Sequence, residues 1–126
     1  MTDFTDVSET QALTDIRDEL AELSAHTDDP TNSGDMNESP LARANIAPSD
    51  FVVEGSDPAV LENVETVAFE EAAEGVGEIT HVVAHDETDP RLICTLVDSN
   101  GDPGPVEITE NDILRFSDGR LRFEVN

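Results

Sequence analysis

Glu78-Ile79-Thr80-His81-Val82-Val83-Ala84 and, after a polar break, Leu92-Ile93-Cys94-Thr95-Leu96-Val97 decide the fold of this chain. In the first stretch Ile79 and Val83 fall on one side of an extended backbone, and Val82 and Ala84 fall on the other. The second is a continuous apolar run of buried-strand length. Asn100-Gly101 supplies a turn signal directly after it. Further strands are expected at Phe51-Val52-Val53 and at the alternating Val106-Glu107-Ile108. Ile113 to Phe116 and Leu121 to Val125 bracket Ser117-Asp118-Gly119, the pattern of a hairpin. Residues 57–75 read two ways. Asp57-Pro58 suits an N-cap and first helical position, with Gly75 past the end, for a helix carrying Val60, Val64, Val67 and Ala68. Val64 to Phe69 is also good strand material, and strand is the reading adopted.

Upstream, residues 5–26 read as a helix. Ser8-Glu9-Thr10-Gln11 matches a capping box. Leu13, Ile16, Leu20 and Leu23 follow at steps of 3, 4 and 3, a two-heptad apolar seam flanked by carboxylates. His26 would sit in the last turn, where a cation suits the helix dipole. Residues 27–48 read as a flexible linker, polar and turn-rich, with Pro30, Pro40 and Pro48 and only Leu41 and Ile46 as large aliphatic residues. The expected architecture is therefore mainly β. A small antiparallel β-sandwich or jelly-roll-like domain spans 49–126, an amphipathic helix spans 1–26, and a linker spans 27–48. The helix seam must be covered, either by this chain's own domain or by another subunit.

Composition sets the environment. Thirty acidic residues stand against six basic ones, and the net charge is −24 over 126 residues. All six bases are arginine. A small domain ordinarily carries a single-digit net charge. An excess this large suits molar salt, where the Debye length is only about 3 Å and neighbouring carboxylates barely repel. The lysine-free, acid-rich composition looks like that of proteins from extremely halophilic archaea and their viruses. It disfavours direct nucleic-acid binding, because phosphate contacts need a positive surface. No apolar run approaches the ~20 residues of a membrane span. Met1-Thr2-Asp3-Phe4 lacks the basic and apolar regions of a signal peptide, so neither a membrane nor a secretory destination is expected.

Signals for chemistry are weak. His81 and His85 could share a metal on a helix, but on a strand their Cα atoms stand roughly 13 Å apart. They are read instead as surface-facing residues near a strand end, with a His85–Asp89 pair across the turn still open. Asp98-Ser99-Asn100-Gly101-Asp102 opens like a calcium loop. Pro103 then stands where the invariant glycine belongs and Thr109 where the bidentate glutamate belongs. A hairpin turn accounts for the same residues. Cys94, the single cysteine, reads as a small buried hydrophobe. No nucleophile–base pair or phosphate-cradling glycine loop is evident, the serines falling in turns and linkers. No enzyme activity, metal or cofactor is expected.

Arg115, Arg120 and Arg122 flank the expected hairpin. They could pair with local acids, or they could meet an acidic neighbour, since arginine holds carboxylates bidentately. The run from Gly75 to His85 and on from Pro90 to Gly101, an edge strand, a polar turn and a buried strand into an Asp-x-x-Gly turn, is similar to small β-sandwich modules on tailed-virus particles. Decoration, turret and tail-adaptor proteins carry such modules. The resemblance implies a non-enzymatic virion component of a halophilic archaeal virus. Its partners would be protein subunits of one homo- or hetero-oligomeric assembly, with Leu13, Ile16, Leu20 and Leu23 and the three late arginines as contacts. The alternative is a haloarchaeal cytoplasmic adaptor or regulator that binds a partner through its helix.

Overall fold

The strand read across Glu78–Ala84 breaks at Thr80 into two pieces that serve different sheets. The break is visible in the computed structural model, which describes residues 4–30, 37–55, 59–98, 100, 102 and 104–124. Upstream of it β6 (Gly77–Ile79) pairs with β9 (Val106–Ile108), and downstream β7 (His81–His85) pairs with β8 (Pro90–Thr95). Thr80 is held at the bend from both sides: its N–H donates to the His26 carbonyl, and its own carbonyl accepts from Leu96 N–H, each at 2.9 Å.

The largest sheet has the order β2-β1-β7-β8, where β1 is Glu22–His26 and β2 is Ala44–Asn45. A three-stranded sheet, β11-β4-β3, is built from Arg122–Glu124, Val60–Asn63 and Phe51–Glu54. A two-stranded ribbon joins β10 (Arg115–Phe116) to β5 (Val67–Ala68). All the strand pairings are antiparallel. The fold is mainly β, a small sandwich-like domain with one N-terminal helix.

That helix, α1, runs Phe4–Glu19 and packs across β3 and β4. It is shorter than the apolar seam suggests and starts earlier than the capping box suggests. Ser8 lies inside it, and Gln11 bonds Asp15 one turn on. Leu20 N–H closes on the Arg17 carbonyl at 3.2 Å, a tightened last turn, and the chain leaves the helix there. His26 therefore ends a strand and not a helix. The physical reason is tertiary. Leu23 and Ala25 drop into the apolar core while Ser24 and His26 face the other way, and five consecutive residues find pairing partners on β7. β1 so becomes an interior strand, lying between β2 and β7.

The stretch read as a linker contributes β2 and buries Pro30, Ser39, Leu41 and Ala44. Ser39 N–H donates to the Ala25 carbonyl at 2.7 Å, and an isolated bridge joins Glu38 to His26. Residues 31–36 of that stretch lie outside the described residues, as do Asp57-Pro58, Gly101, Pro103 and Val125. Val60–Asn63 and Val67–Ala68 are strand, not helix, as β4 and β5, with a bend at Val64-Glu65 between them. β8 is a half-buried edge and not the fully buried strand that its apolar run suggests: Ile93 is 39% exposed, and Val97 just beyond is 52% exposed.

The hairpin expected around Ser117-Asp118-Gly119 does not form. The turn is real, with Gly119 at φ 81° and Arg120 N–H bonded to the Ser117 carbonyl. Its two arms pair with β5 and β4 and not with each other. The two pairings belong to separate sheets but follow one another along the same two chain segments. Ala68 faces Arg115 and Glu62 faces Arg122, so six steps on one strand oppose seven on the other. One extra residue is accommodated as a bulge. The core runs through all of this, from Leu13 of α1 to Leu61, Leu121 and the tilted pair Phe51–Phe123, whose ring centroids lie 6.4 Å apart.

Candidate functional site

The bulge gathers the late arginines. Arg115 is separated from Arg120 and Arg122 by five and seven residues, and odd separations on an unbroken strand point to opposite faces. The extra residue and the turn reverse the alternation: Phe116, Leu121 and Phe123 are buried while Arg115, Arg120 and Arg122 are exposed. The three arginines line one groove of about 480 Å³ together with the stretch from Cys94 to Asp98 and Val106.

Asn63 pins this arrangement. It is 0% exposed, and its side-chain amide donates to the carbonyls of Glu65, Phe116 and Ser117 at 2.9, 3.3 and 3.0 Å. Its Oδ1 accepts from Leu121 N–H at 2.9 Å. The Asn63 backbone closes two further bonds, to the Leu121 carbonyl and from Gly119 N–H. One side chain thus replaces the ladder bonds that the bulge removes. A lone asparagine, a poor strand residue, two residues beyond the apolar Ala59-Val60-Leu61 was the available sequence signal.

Gly104, also on the groove, lets the backbone approach Val97 and Asp98 closely. A Cβ there would lie 2.7 Å from the Asp98 nitrogen and 2.9 Å from the Val97 carbonyl carbon. Asp98 Oδ1 accepts from the Asn100 and Asp102 amides, so this carboxylate is engaged by its own backbone.

The arginines differ in what they hold. Arg17 pairs with Asp18, Arg43 with Glu22 and Glu38, Arg91 with Glu19 and Asp86, and Arg122 with Glu62. Arg115 and Arg120 have no ion pair among the described residues. In a chain with thirty acidic residues, two unpaired arginines in one groove are an exception.

A second constellation lies in the largest sheet. Ser24 Oγ sits 2.6 Å from His26 Nε2 and 2.7 Å from His85 Nε2. A hydroxyl has a single proton to give. Ser24 can therefore donate to at most one imidazole, so at least one of the two rings presents an N–H at Nε2 to the Ser24 oxygen. Burial pushes the His85 imidazole below its ordinary value, and the Arg43 charge adds to this. Arg43 binds Glu38 through two nitrogens and Glu22 through one, which lowers the Glu38 carboxyl and raises the Arg43 guanidinium. Sequence reading placed the serines in turns and His85 at the surface. Both placements are corrected: Ser24 is in β1, and Ser24, His26 and His85 are 0%, 0% and 2% exposed. The two-residue alternation in Leu23-Ser24-Ala25-His26 was the missed signal. His85 finds Ser24 and not Asp89, and the β7–β8 turn closes on Asp86, whose Oδ1 accepts from Thr88 and Asp89 amides. Those bonds hold the Asp86 carboxyl well below the usual range.

The apolar seam is spent inside this chain. Leu13, Leu20 and Leu23 are 0%, 4% and 0% exposed in one core, and Ile16 packs against it. Leu23 is a strand residue of β1, so the four never form a single helical stripe. Cys94 is buried, as its sequence context suggests. Among the described residues no cluster of three or more His, Cys, Asp or Glu could hold a metal. No helix among them is long and apolar enough to cross a membrane. No protein-family model, curated protein or solved structure matches the chain.

Proposed function

We propose that this chain is a non-enzymatic structural and interaction protein of a halophilic macromolecular assembly, a virion component of the capsid-decoration, turret or tail-adaptor kind. The observation that carries the reading is the pair Arg115 and Arg120, without an ion pair among the described residues and grouped beside a pinned bulge on a strongly acidic chain. Intramolecular stability does not explain leaving them free, because exposed carboxylates abound. A partner that brings its own carboxylates does.

The buried Ser24 chain fits the same reading. A nucleophile must be reached by substrate, and Ser24 is 0% exposed. Its bonds to His26 and His85 satisfy buried polar groups and fix the strand register. An adaptor that docks through its helix is not favoured, because the residues that would dock fill the core.

The test is composition. The protein is purified from its source cells or particles in molar salt and sedimented, and the fast fraction is analysed by mass spectrometry. This chain is expected at fixed stoichiometry with other subunits. Recovery solely as a free monomer would overturn the assembly reading.

A further inference from the structure

The arginine groove has two kinds of surface, and together they specify an occupant. We infer that it takes an extended acidic segment of a partner protein, with carboxylates on Arg115 and Arg120 and an apolar side chain against Val97 and Val106. The inference rests on the interaction reading above and names the chemistry of the partner at that site.

The charged part is the unpaired arginines. Their planar donors match a carboxylate bidentately, and that geometry persists where long-range attraction is screened. The apolar part is Val97, 52% exposed, and Val106, 36% exposed, on the same groove. Small anions would engage the guanidinium groups and leave both valines wet. A nucleic acid would bring a phosphate with every nucleotide to a groove whose open cations are two arginines, more charge than they can meet. A basic peptide would suit the overall charge but meet like charge in the groove. An acidic segment broken by an apolar residue satisfies both surfaces. The groove volume of about 480 Å³ lies within the usual range for a bound ligand. Arg122 is already held by Glu62 at 3.1 Å and frames the site. Asp98 lies on the same groove, its Oδ1 engaged by two backbone amides.

The probe is a fluorescent Asp-Val-Glu-Val-Asp peptide, titrated with the full chain in about 2 M KCl and followed by anisotropy. Its amide counterpart, Asn-Val-Gln-Val-Asn, and its serine counterpart, Asp-Ser-Glu-Ser-Asp, are compared. The acidic, valine-bearing peptide is expected to bind at least about tenfold more tightly than either. The double variant Arg115→Gln/Arg120→Gln is expected to lose about tenfold, with an unchanged circular-dichroism spectrum because both side chains are exposed. Val97→Ser should independently remove the advantage of valine over serine.

Equal binding of the amide peptide overturns the inference, and so does displacement by inorganic phosphate or an oligonucleotide. Arginine-dependent self-association of the free chain also overturns it, because the occupant would then be a second copy. The assembly reading can fail separately. If the chain sediments with fixed partners but binds no probe, the occupant is wrong and the assembly stands. If it binds the probe but never sediments with partners, the groove stands and the assembly falls.

Discussion

Asn63 carries more of the site than any arginine in it. Asn63→Ala leaves the buried Leu121 N–H and several carbonyls without partners, and is expected to cost about 3 kcal/mol. Asn63→Asp keeps the acceptor but aims a charge at three carbonyls, so it should cost more than alanine. Chemical denaturation of both variants checks the order, and alanine proving the worse of the two would mean that the donor bonds matter little. His85 sets a different dependence. Its folded imidazole resists protonation, while the unfolded one titrates near about 6.5. The unfolded state then binds more protons below that pH, so stability is fully present above about 6.5 and falls as pH drops from there through the lowered folded value. The Glu38 and Asp86 carboxyls, also depressed, add their loss only below about 4, so the two limbs separate. Unfolding free energies between about pH 7.5 and about pH 4.5, from about one unit above the unfolded histidine value to about two below it, should show the first limb in the parent and a smaller one in His85→Gln. An identical slope in the variant would assign the limb to other groups.

At the scale of elements, pairing overrode local pattern. The strands β3, β7, β8 and β9 could be read from β-branched runs and alternation, because side chains there mark the faces directly. The step from α1 into β1 could not be read so. Leu13, Ile16, Leu20 and Leu23 keep helical spacing in the sequence, and only the presence of β7 opposite residues 22–26 makes extension more favourable. The bulge between β4–β5 and β10–β11 was hidden for a similar reason, since register belongs to two strands and not to one. The arginine cluster was therefore legible as residue types late in the chain but not as a groove. Leu20→Asp tests the α1–β1 junction. With Leu20 only 4% exposed, a buried unpaired charge should lower stability by about 3 kcal/mol or more. Thermal melting should register the loss while groove binding, measured below the new midpoint, stays unchanged. A drop in binding without a drop in melting temperature would instead place Leu20 at a contact.

For the molecule as a whole, charge and core pull against each other. The arginine pairs hold six carboxylates: Asp18, Glu19, Glu22, Glu38, Glu62 and Asp86. Glu70, Glu71 and Glu74 are exposed along one short stretch, as are Glu107, Glu110 and Asp118 elsewhere. Two like charges 10 Å apart in water repel by about 0.4 kcal/mol. In molar salt, with a Debye length of about 3 Å, that repulsion falls about thirtyfold, whereas at about 0.1 M roughly a third of it survives. Summed over many pairs, the surviving part is comparable with a typical folding stability of about 5–15 kcal/mol. Cooperative unfolding is therefore expected as salt is dialysed from molar to about 0.1 M, read by circular dichroism. Sucrose, which favours compact states without screening charge, should not substitute for the salt. The triple variant Glu70→Gln/Glu71→Gln/Glu74→Gln removes three neighbouring charges and should fold at lower salt than the parent. A melting temperature that holds across the whole range would remove the basis for salt-dependent folding. A salt midpoint that the triple variant leaves unmoved would show that repulsion among these carboxylates does not set it.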